Sequence, residues 1–455
     1  MRSSAPEATP EESFSEARPR PPRRKATGLI AVALVAVSAA VAQAFGRFTF
    51  GVLLPAIRDD LGVSNTVAGF LTTLNVAAYL VGTVAVAVAT SRYRLLAVMR
   101  VGLVLSTIGL ILAAASTGPL LLGVSMLFSG VGGACTWIPA PVIAAGAMAP
   151  EKRSIAIGLM SSGIGAGVVF SGQLSGFVRS TMGDAAWRNV YAVQAVIAVV
   201  VLILTLLFIG HRQDRPTSKA GIGGFGALQR MNGWVPLTLA YTSFGLMYLL
   251  VIGFLTTRLE DDSNWTSGEA SLAFTVMGVA MMFGGPTFLA IGGRVGSRIA
   301  LSGCFALWIL AALSILPGWF IPTLAVSAVL GMLFSGIPST ITLYVVNNTT
   351  SDDYGPSFAA ATLAFGVAQT VSPQFGGFIA DLSGSFTLVF MLSSVFAATG
   401  LVAALRLPRQ RNPPHRRTHE PVTELPDGWP EPANLVFELS LAATRDSDSA
   451  AGPGS

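Results

Sequence analysis

Gln43 and Arg47 carry the most pointed chemistry in this sequence. They stand four positions apart in QAFGRFTFGVLLP (43–55). Side chains at that spacing share one face of a helix, so an amide and a guanidinium look the same way, with Phe50 and Gly51 one turn later. The hydrophobic run that holds them begins near Gly28 and is long enough to cross a bilayer, where a charge needs a reason to be present. A central arginine costs about 2.5–3.5 kcal/mol to insert. A carboxylate in contact with it returns about 4 kcal/mol at an effective dielectric near 20. The pattern therefore predicts one wall of a protein-lined cavity, with an organic anion as the expected solute. The competing reading is a snorkelling arginine. Arg47 lies nineteen positions beyond Gly28, about 28 Å along a helix and near the far edge of the hydrocarbon. A helix that starts in the interface and continues past Pro55 moves Arg47 inward again.

Other polar and aromatic residues recur at helical spacing. Asn75 and Tyr79 are four apart, and Tyr241 and Tyr248 are seven apart. Trp137 sits beside Pro139 and Pro141, prolines that remove backbone hydrogen bonds and can hinge a helix. Pro338 recurs in a later run. The expected substrate-binding set is Arg47, Gln43, Asn75, Tyr79, Trp137, Tyr241 and Tyr248, although interhelical hydrogen bonding explains Asn75 equally well. Gln173, Gln374 and Gln369 read as helix contacts. Gly163, Gly167, Gly172 and Gly176 form small-xxx-small patterns, expected to let one helix slide against a neighbour from the other half of the molecule. No strand precedes these glycines, so a phosphate loop is excluded.

Enzyme chemistry finds no support, because the apolar runs contain no nucleophile–base pair and no metal cluster. Cys135 and Cys304 lie far apart inside such runs, and two of the three histidines fall in the C-terminal tail. No metal, disulfide or cofactor is expected. No Asp or Glu lies deep inside a run, since Asp381 falls at an end. A buried carboxylate of raised pKa, the common device of proton coupling, is thus missing.

The elements that must position these residues follow from composition. Hydrophobic residues make up 52% and charged residues 11%, against roughly a quarter charged in soluble domains. About a dozen separate apolar runs reach spanning length, and strand-like alternation is missing. This is an all-α polytopic membrane protein. The expected spans are 28–57, 65–90, 95–115, 119–148, 154–179 and 187–210, then 234–258, 268–292, 298–316, 319–347, 355–381 and 385–406. Residues 1–27 read as a disordered tail, 211–233 as a linker and 407–455 as a mostly disordered tail. A signal peptide ending near Ala40-Val41-Ala42 is rejected, because the apolar run continues to Ile57.

Loop charge sets the orientation. Arg92 and Arg94, Lys152 and Arg153, the linker arginines, and Arg294 and Arg298 fall on the same side as both basic tails. Asp59, Asp60, Asp184, Glu260, Asp261 and Asp262 fall on the other. Asp352 and Asp353 are the exception. By the positive-inside rule both termini are cytoplasmic, and twelve spans satisfy the parity.

The halves repeat at an offset near two hundred. Ala44-Phe45-Gly46 recurs as Ser243-Phe244-Gly245, Met126 to Gly130 recurs letter for letter at Met332 to Gly336, and SGQLSGFVRSTMG (171–183) matches SPQFGGFIADLSG (372–384). Leu246 stands opposite Arg47, so the fixed positive charge has no counterpart in the second half. With these features the chain resembles the major facilitator superfamily over roughly Gly28 to Arg406. GGRVGSR (292–298) is similar to that superfamily's loop motif, with Gly293 where the motif has Asp. On this resemblance Arg92, Arg94, Arg294, Gly296 and Arg298 are the loop-motif residues. Met126 replaces the Arg of many drug/proton antiporters, and the proline of the antiporter motif is missing among the fifth-span glycines. The segments FGRFTFGVLLP, YTSFGLMYLLVIGFLTTRL and FGVAQTVSPQFGGFIADLSGSF are more similar to the YbfB/YjiJ-like bacterial branch.

The resemblance implies two pseudo-symmetric six-helix bundles, 28–210 and 234–406, with the first, fourth, seventh and tenth helices around a central cavity. It implies a transporter of the bacterial plasma membrane that moves a small organic solute by alternating access. The expected partners are that solute and the lipid bilayer, without nucleic acid, and the expected state is a monomer. A proton-coupled multidrug or metabolite exporter is the alternative. A non-transporting sensor or scaffold on the same fold is the third reading.

Overall fold

In a bilayer every backbone N–H and C=O must find its partner inside the chain, which leaves a long apolar run little choice but a helix. The computed structural model describes residues 28–90, 92–149, 152–210 and 225–408, and every regular element among them is helical. Both expected disordered tails and most of the linker lie outside the described residues.

Twelve long helices form the body. In the first half these are α1 (Gly28–Leu61), α2 (Asn65–Ala89), α3 (Leu95–Ala114), α4 (Pro119–Gly146), α5 (Arg153–Met182) and α6 (Trp187–Phe208). The second half holds α7 (Trp234–Ile252), α8 (Ser267–Val295), α9 (Ser297–Ser314), α10 (Phe320–Asn348), α11 (Ser351–Ser383) and α12 (Thr387–Leu405). Eleven are long and apolar enough to span a membrane. The twelfth, α11, is diluted by polar residues and carries Pro356 and Pro373. At 33 residues it is long enough to span, and it packs between α2 and α7.

Local chemistry sets the ends. Ser64 caps α2 by accepting the Val67 N–H at 3.3 Å, and Thr266 with Glu269 forms a reciprocal capping box at the start of α8. Gly183 and Gly384, equivalent positions of the repeat, end α5 and α11 with φ of +83° and +67°. Only glycine enters that region freely. Three expected spans need correction. α1 runs on to Leu61, and α4 breaks between Trp137 and Ala140, where Pro139 withholds a donor. α7 stops at Ile252, and its column continues through a short turn (Leu255–Thr257) into a π turn (Arg258–Asp262).

The halves meet along two seams, α2 against α11 and α5 against α8, which are images of each other under the repeat. A third contact sets α1 against the continuation of α7. Large apolar side chains such as Val196, Leu207, Leu310 and Ile321 stand exposed on the outer surface. That arrangement suits hydrocarbon and would be a liability in water.

The small-residue pattern of α5 serves two neighbours, which corrects the single sliding face expected from sequence. A Cβ on Gly172 or Gly176 would meet Thr275 or Ser271 of α8, in the other half. One on Gly163 or Gly167 would instead meet Ala36, Ala40 or Ala44 of α1, in the same half. Gly165, not singled out by the pattern, also faces α8 at Gly278 and Met282.

The two ends of the molecule differ. On the side of the acidic loops, bonds cross between the halves. Arg58 pairs with Asp261, its Nη2 donating to Oδ1 at 3.1 Å. Arg179 gives both Nη atoms to the Glu260 carboxylate at 2.7 Å each. Asp381 accepts the backbone N–H groups of Asn65 and Thr66 at 3.0 and 2.7 Å. Thr256 Oγ1 donates to the Gly51 carbonyl at 2.7 Å. The linker side shows an ion pair within one half. Arg230 and Asp353 pair there at 2.6 Å, within the second half and its linker helix (Phe225–Arg230).

Candidate functional site

The middle of α1 is not an ordinary α-helix. Ala40–Phe48 winds as a π-helix, and the Thr49 N–H closes it by donating to the Ala44 carbonyl five positions back. Such widened turns recur at functional sites because they re-aim side chains. Neighbours hold this one in place. Asn75 Nδ2 donates to the carbonyls of Gly46 and Met126 at 3.0 and 3.1 Å. Thr49 and Ser171 share a 3.0 Å hydroxyl contact, and both accept from the buried Gln194 amide.

The π segment presents Gln43 and Arg47 to a cavity of about 620 Å³ between the two halves. Its wall draws on α1, α2, α4, α5, α7, α8, α10 and α11. This is twice the set of helices the resemblance implied. The helices α3, α6, α9 and α12 stay outside it.

Arg47 is anchored from across the cavity. Its Nη2 donates to the Tyr248 hydroxyl at 3.1 Å and to Gln369 Oε1 at 2.9 Å. Tyr248 in turn donates to the same Gln369 oxygen at 2.6 Å. The guanidinium carbon stands 5.3 Å from the Tyr79 ring centroid, a cation–π contact. Nε is buried without a partner. No acid pairs with Arg47 among the described residues, and Arg47 is the one formally charged residue in the cavity wall. It therefore belongs to the space between the halves, and the snorkelling alternative fails.

Six of the seven expected binding residues line this space: Gln43, Arg47, Tyr79, Trp137, Tyr241 and Tyr248. Asn75 does not. Its amide is spent on two main-chain carbonyls, so it supports the π segment from behind. Gln369 reverses the opposite way. Read from sequence as a helix contact, it lines the cavity and holds Arg47. Its one sequence signal was a polar side chain deep inside an apolar helix. Gln173 does join helices, donating to Thr275 across the α5–α8 seam at 3.1 Å. Gln374 lines a smaller fissure between α2 and α11.

Sequence reading named Tyr241 and Tyr248 but missed the rest of the apolar wall. Tyr241, Phe244, Tyr248 and Phe365 form a near-parallel stack, with Tyr241 and Phe365 centroids 4.6 Å apart at 18°. Phe334 joins it at a steeper angle, and Met281 and Met282 of α8 also line the space. Alternating aromatic and aliphatic residues look like core in any apolar helix, so nothing marked Phe244, Phe365, Phe334 or the methionines as lining.

The loop-motif residues lie away from the cavity. Arg92, Arg94 and Arg294 are exposed, and Arg294 sits in the last turn of α8, where a cation suits the helix dipole. Gly296 takes a positive φ of +87°. Arg298 donates to the Leu405 carbonyl at 2.5 Å and so caps α12.

The cavity opens toward the linker side. Its wall reaches Ile155 and Leu159 in the first turns of α5, 56% and 45% exposed, and Leu289 near the end of α8. At the other end the cross-half bonds close it.

Two solved structures share this architecture. A bacterial homolog of the human lysosomal transporter Spinster, inward-facing and unoccupied, superposes with a TM-score of 0.68 at 14% identity, over 84% of this chain and 97% of that one. The inward-facing, occupied form gives 0.62 at 14% identity, over 92% and 97%. At that identity the likeness speaks for the fold alone. The family model described as "Uncharacterised MFS-type transporter YbfB" matches residues 39–405. This chain, a multi-pass membrane protein of twelve helices, belongs to that family of major facilitator transporters.

Proposed function

We propose that this transporter carries a small organic anion across the bacterial plasma membrane by alternating access, with Arg47 as the anchor of its central site. One observation carries the reading. A guanidinium stands in the cavity between the two halves, held by neutral groups and unopposed by any carboxylate among the described residues. A partly buried cation without a counter-ion carries a desolvation cost, and an entering anion relieves that cost. Tyr248 and Gln369 belong to the opposite half from Arg47. An anion at Arg47 therefore sits where rocking of the halves would expose it to each side in turn.

Loop charge supports cytoplasmic termini, and with them a cavity that faces the cytoplasm in this conformation. The open cavity speaks against a scaffold with a dry interface. The drug-exporter reading loses support because no acid lines the described cavity.

Uptake into proteoliposomes tests the proposal. Carboxylate flux present in the native protein and at least tenfold lower in a folded Arg47→Gln variant is the expected result. Arg47-independent flux of lipophilic cations would overturn it. Reporter fusions at the C-terminus test the orientation, and an outside location would refute it.

A further inference from the structure

The cavity wall says more about the anion than its sign. Among the described residues, one face of the cavity holds all of its formal charge, at Arg47, with Gln43, Tyr79 and Gln369 beside it. The aromatic stack of Tyr241, Phe244, Tyr248 and Phe365 adjoins that corner through Tyr248, whose hydroxyl accepts from Arg47, and α8 adds Met281 and Met282. Ile155, Leu159, Ile164 and Leu289 line the space toward the open end. We infer that the substrate is an amphipathic monoanion: one carboxylate-like head for Arg47, and an aromatic or branched aliphatic body for the stack and the methionines. This rests on the anion reading above and narrows it.

Three physical arguments separate this class from the other organic anions. First, a second carboxylate would find no second cation in the wall among the described residues. Once the cavity closes over its cargo, that charge would be buried unpaired, a state proteins avoid. Di- and tricarboxylates are disfavoured for that reason.

Second, a polyol phosphate needs several hydrogen-bond donors and acceptors along its body. Three serine hydroxyls on the wall have already spent their donors on carbonyls of their own or a neighbouring helix. Ser162 donates to the Gly158 carbonyl at 3.0 Å, Ser335 to Met281 at 2.8 Å, and Ser339 to Ser335 at 2.8 Å. A sugar body would exchange water for a wall with few hydroxyl donors to replace it.

Third, flat aromatic faces and flexible thioethers are suited to apolar surface. Rings pack offset on rings, and methionine adapts to irregular shapes. A volume of about 620 Å³ exceeds what a two-carbon acid fills and leaves room for a ring with a short chain. The head has its donors ready. Nη2 is engaged by Tyr248 and Gln369 and Nε is buried, while Nη1 has no partner among the described residues.

The test is ligand-induced thermal stabilisation and direct titration of the full-length protein in lipid nanodiscs. Four acids are compared, 3-phenylpropionate, acetate, succinate and citrate, with 3-phenylpropionamide as the uncharged match for the first. The amide also controls for partition into lipid. The expected order places 3-phenylpropionate at least about tenfold tighter than its amide and than each of the other acids, a difference of about 1.4 kcal/mol. In Arg47→Gln the acid and the amide converge. In Phe365→Ala, 3-phenylpropionate weakens about fivefold or more while the acid-to-amide ratio persists. Succinate or citrate binding as tightly as 3-phenylpropionate, lost in Arg47→Gln, would overturn the amphipathic class and leave the anion carrier standing. Equal binding of acid and amide by the native protein, or no binding by any of the four acids, would overturn both.

Discussion

Arg47 and Gln369 stand 322 positions apart in the chain, and Nη2 of the first donates to Oε1 of the second at 2.9 Å. The bond spans the two halves, and Tyr248 closes the triangle by donating to the same oxygen. Gln369 is 2% exposed, so its acceptor replaces water that the guanidinium has lost. Replacing it by leucine removes that acceptor from a charged donor, which costs about 1.5–3 kcal/mol. Gln369→Leu should therefore lower the melting temperature of the ligand-free protein. Since the orphaned cation then gains more from an anion, the rise in melting temperature on adding a saturating carboxylate should exceed that of the native protein. Arg47→Gln should show the reverse, a small loss without ligand and no gain with it. Equal gains in native and Gln369→Leu protein would mean that this glutamine does not solvate the binding cation.

The acidic-side closure offers a charge-exchange test. Arg58 and Asp261 are partly exposed, at 18% and 29% of their side chains. Their bond is therefore screened and contributes about 0.2–1 kcal/mol. That is enough to move an equilibrium between two conformations of similar energy. Arg58→Asp or Asp261→Arg alone places like charges across the seam and should open it. The double exchange should restore closure. Thr256→Cys, buried at 1% exposure beside Gly51, serves as reporter, read by alkylation with an impermeant thiol reagent. Labelling should rise several-fold in each single variant and return toward the parent in the double. A double variant as labile as the singles would show that the pair is not what holds the ends together.

Glu260 gives the same seam a pH dependence. Burial pushes its carboxyl above the usual carboxylate range, against the opposing pull of the Arg179 guanidinium, and the nearby Asp184 and Asp261 push the same way. In an open seam Glu260 would meet water and titrate near about 4.3. The closed seam therefore holds a proton more tightly than the open one. By linkage its extra stability is complete below the exposed value and is lost as pH rises through the raised one. Labelling of Thr256→Cys, corrected for the reagent's own pH dependence, should rise with pH over that window. Glu260→Gln, which fixes the neutral form, should flatten the profile at its low-pH level. A profile unaltered by Glu260→Gln would assign the titration elsewhere.

The fold was legible because bilayer physics leaves few options. Runs of spanning length, loops of alternating charge and a duplicated SGQLSGF/SPQFGGF segment specify helix number and pseudo-symmetry together. Arg47 was legible for the same reason, since a charge in such a run stands out. Its partners were less so. Asn75 and Gln369 are both amides in apolar helices, and sequence cannot say which of them turns toward the cavity. Asn75 faces two carbonyls of its own half, and Gln369 faces the arginine of the other. The π segment at Ala40–Phe48 also escaped, because widening a turn there leaves no mark in composition. Tyr241 and Tyr248 were legible as a spaced polar-aromatic pair, but Phe244 and Phe365 escaped because rings that line a cavity and rings that fill a core obey the same periodicity.

The glycines of the α2–α11 seam supply the last test. A Cβ on Gly377 would stand 2.0 Å from the Asn65 carbonyl, with main-chain atoms as the obstacle. Backbone cannot step aside as a flexible side chain does, so Gly377→Ala forces α11 and the start of α2 apart where Asp381 now binds Asn65 and Thr66. The expected result is a seam biased toward opening: higher labelling of Thr256→Cys, a lower melting temperature, and weaker binding of any ligand that needs the closed end. Gly158→Ala is the control. It lies in the cavity wall on α5, with nothing within 4 Å of the added Cβ. Alanine inside a helix is favoured over glycine by roughly 0.5–1 kcal/mol, so this variant should melt slightly higher and label like the parent. If Gly377→Ala also melts higher and labels like the parent, close backbone contact at Asn65 is not what seals this end, and the seal must come from the other cross-half bonds, those of Arg58, Arg179 and Thr256.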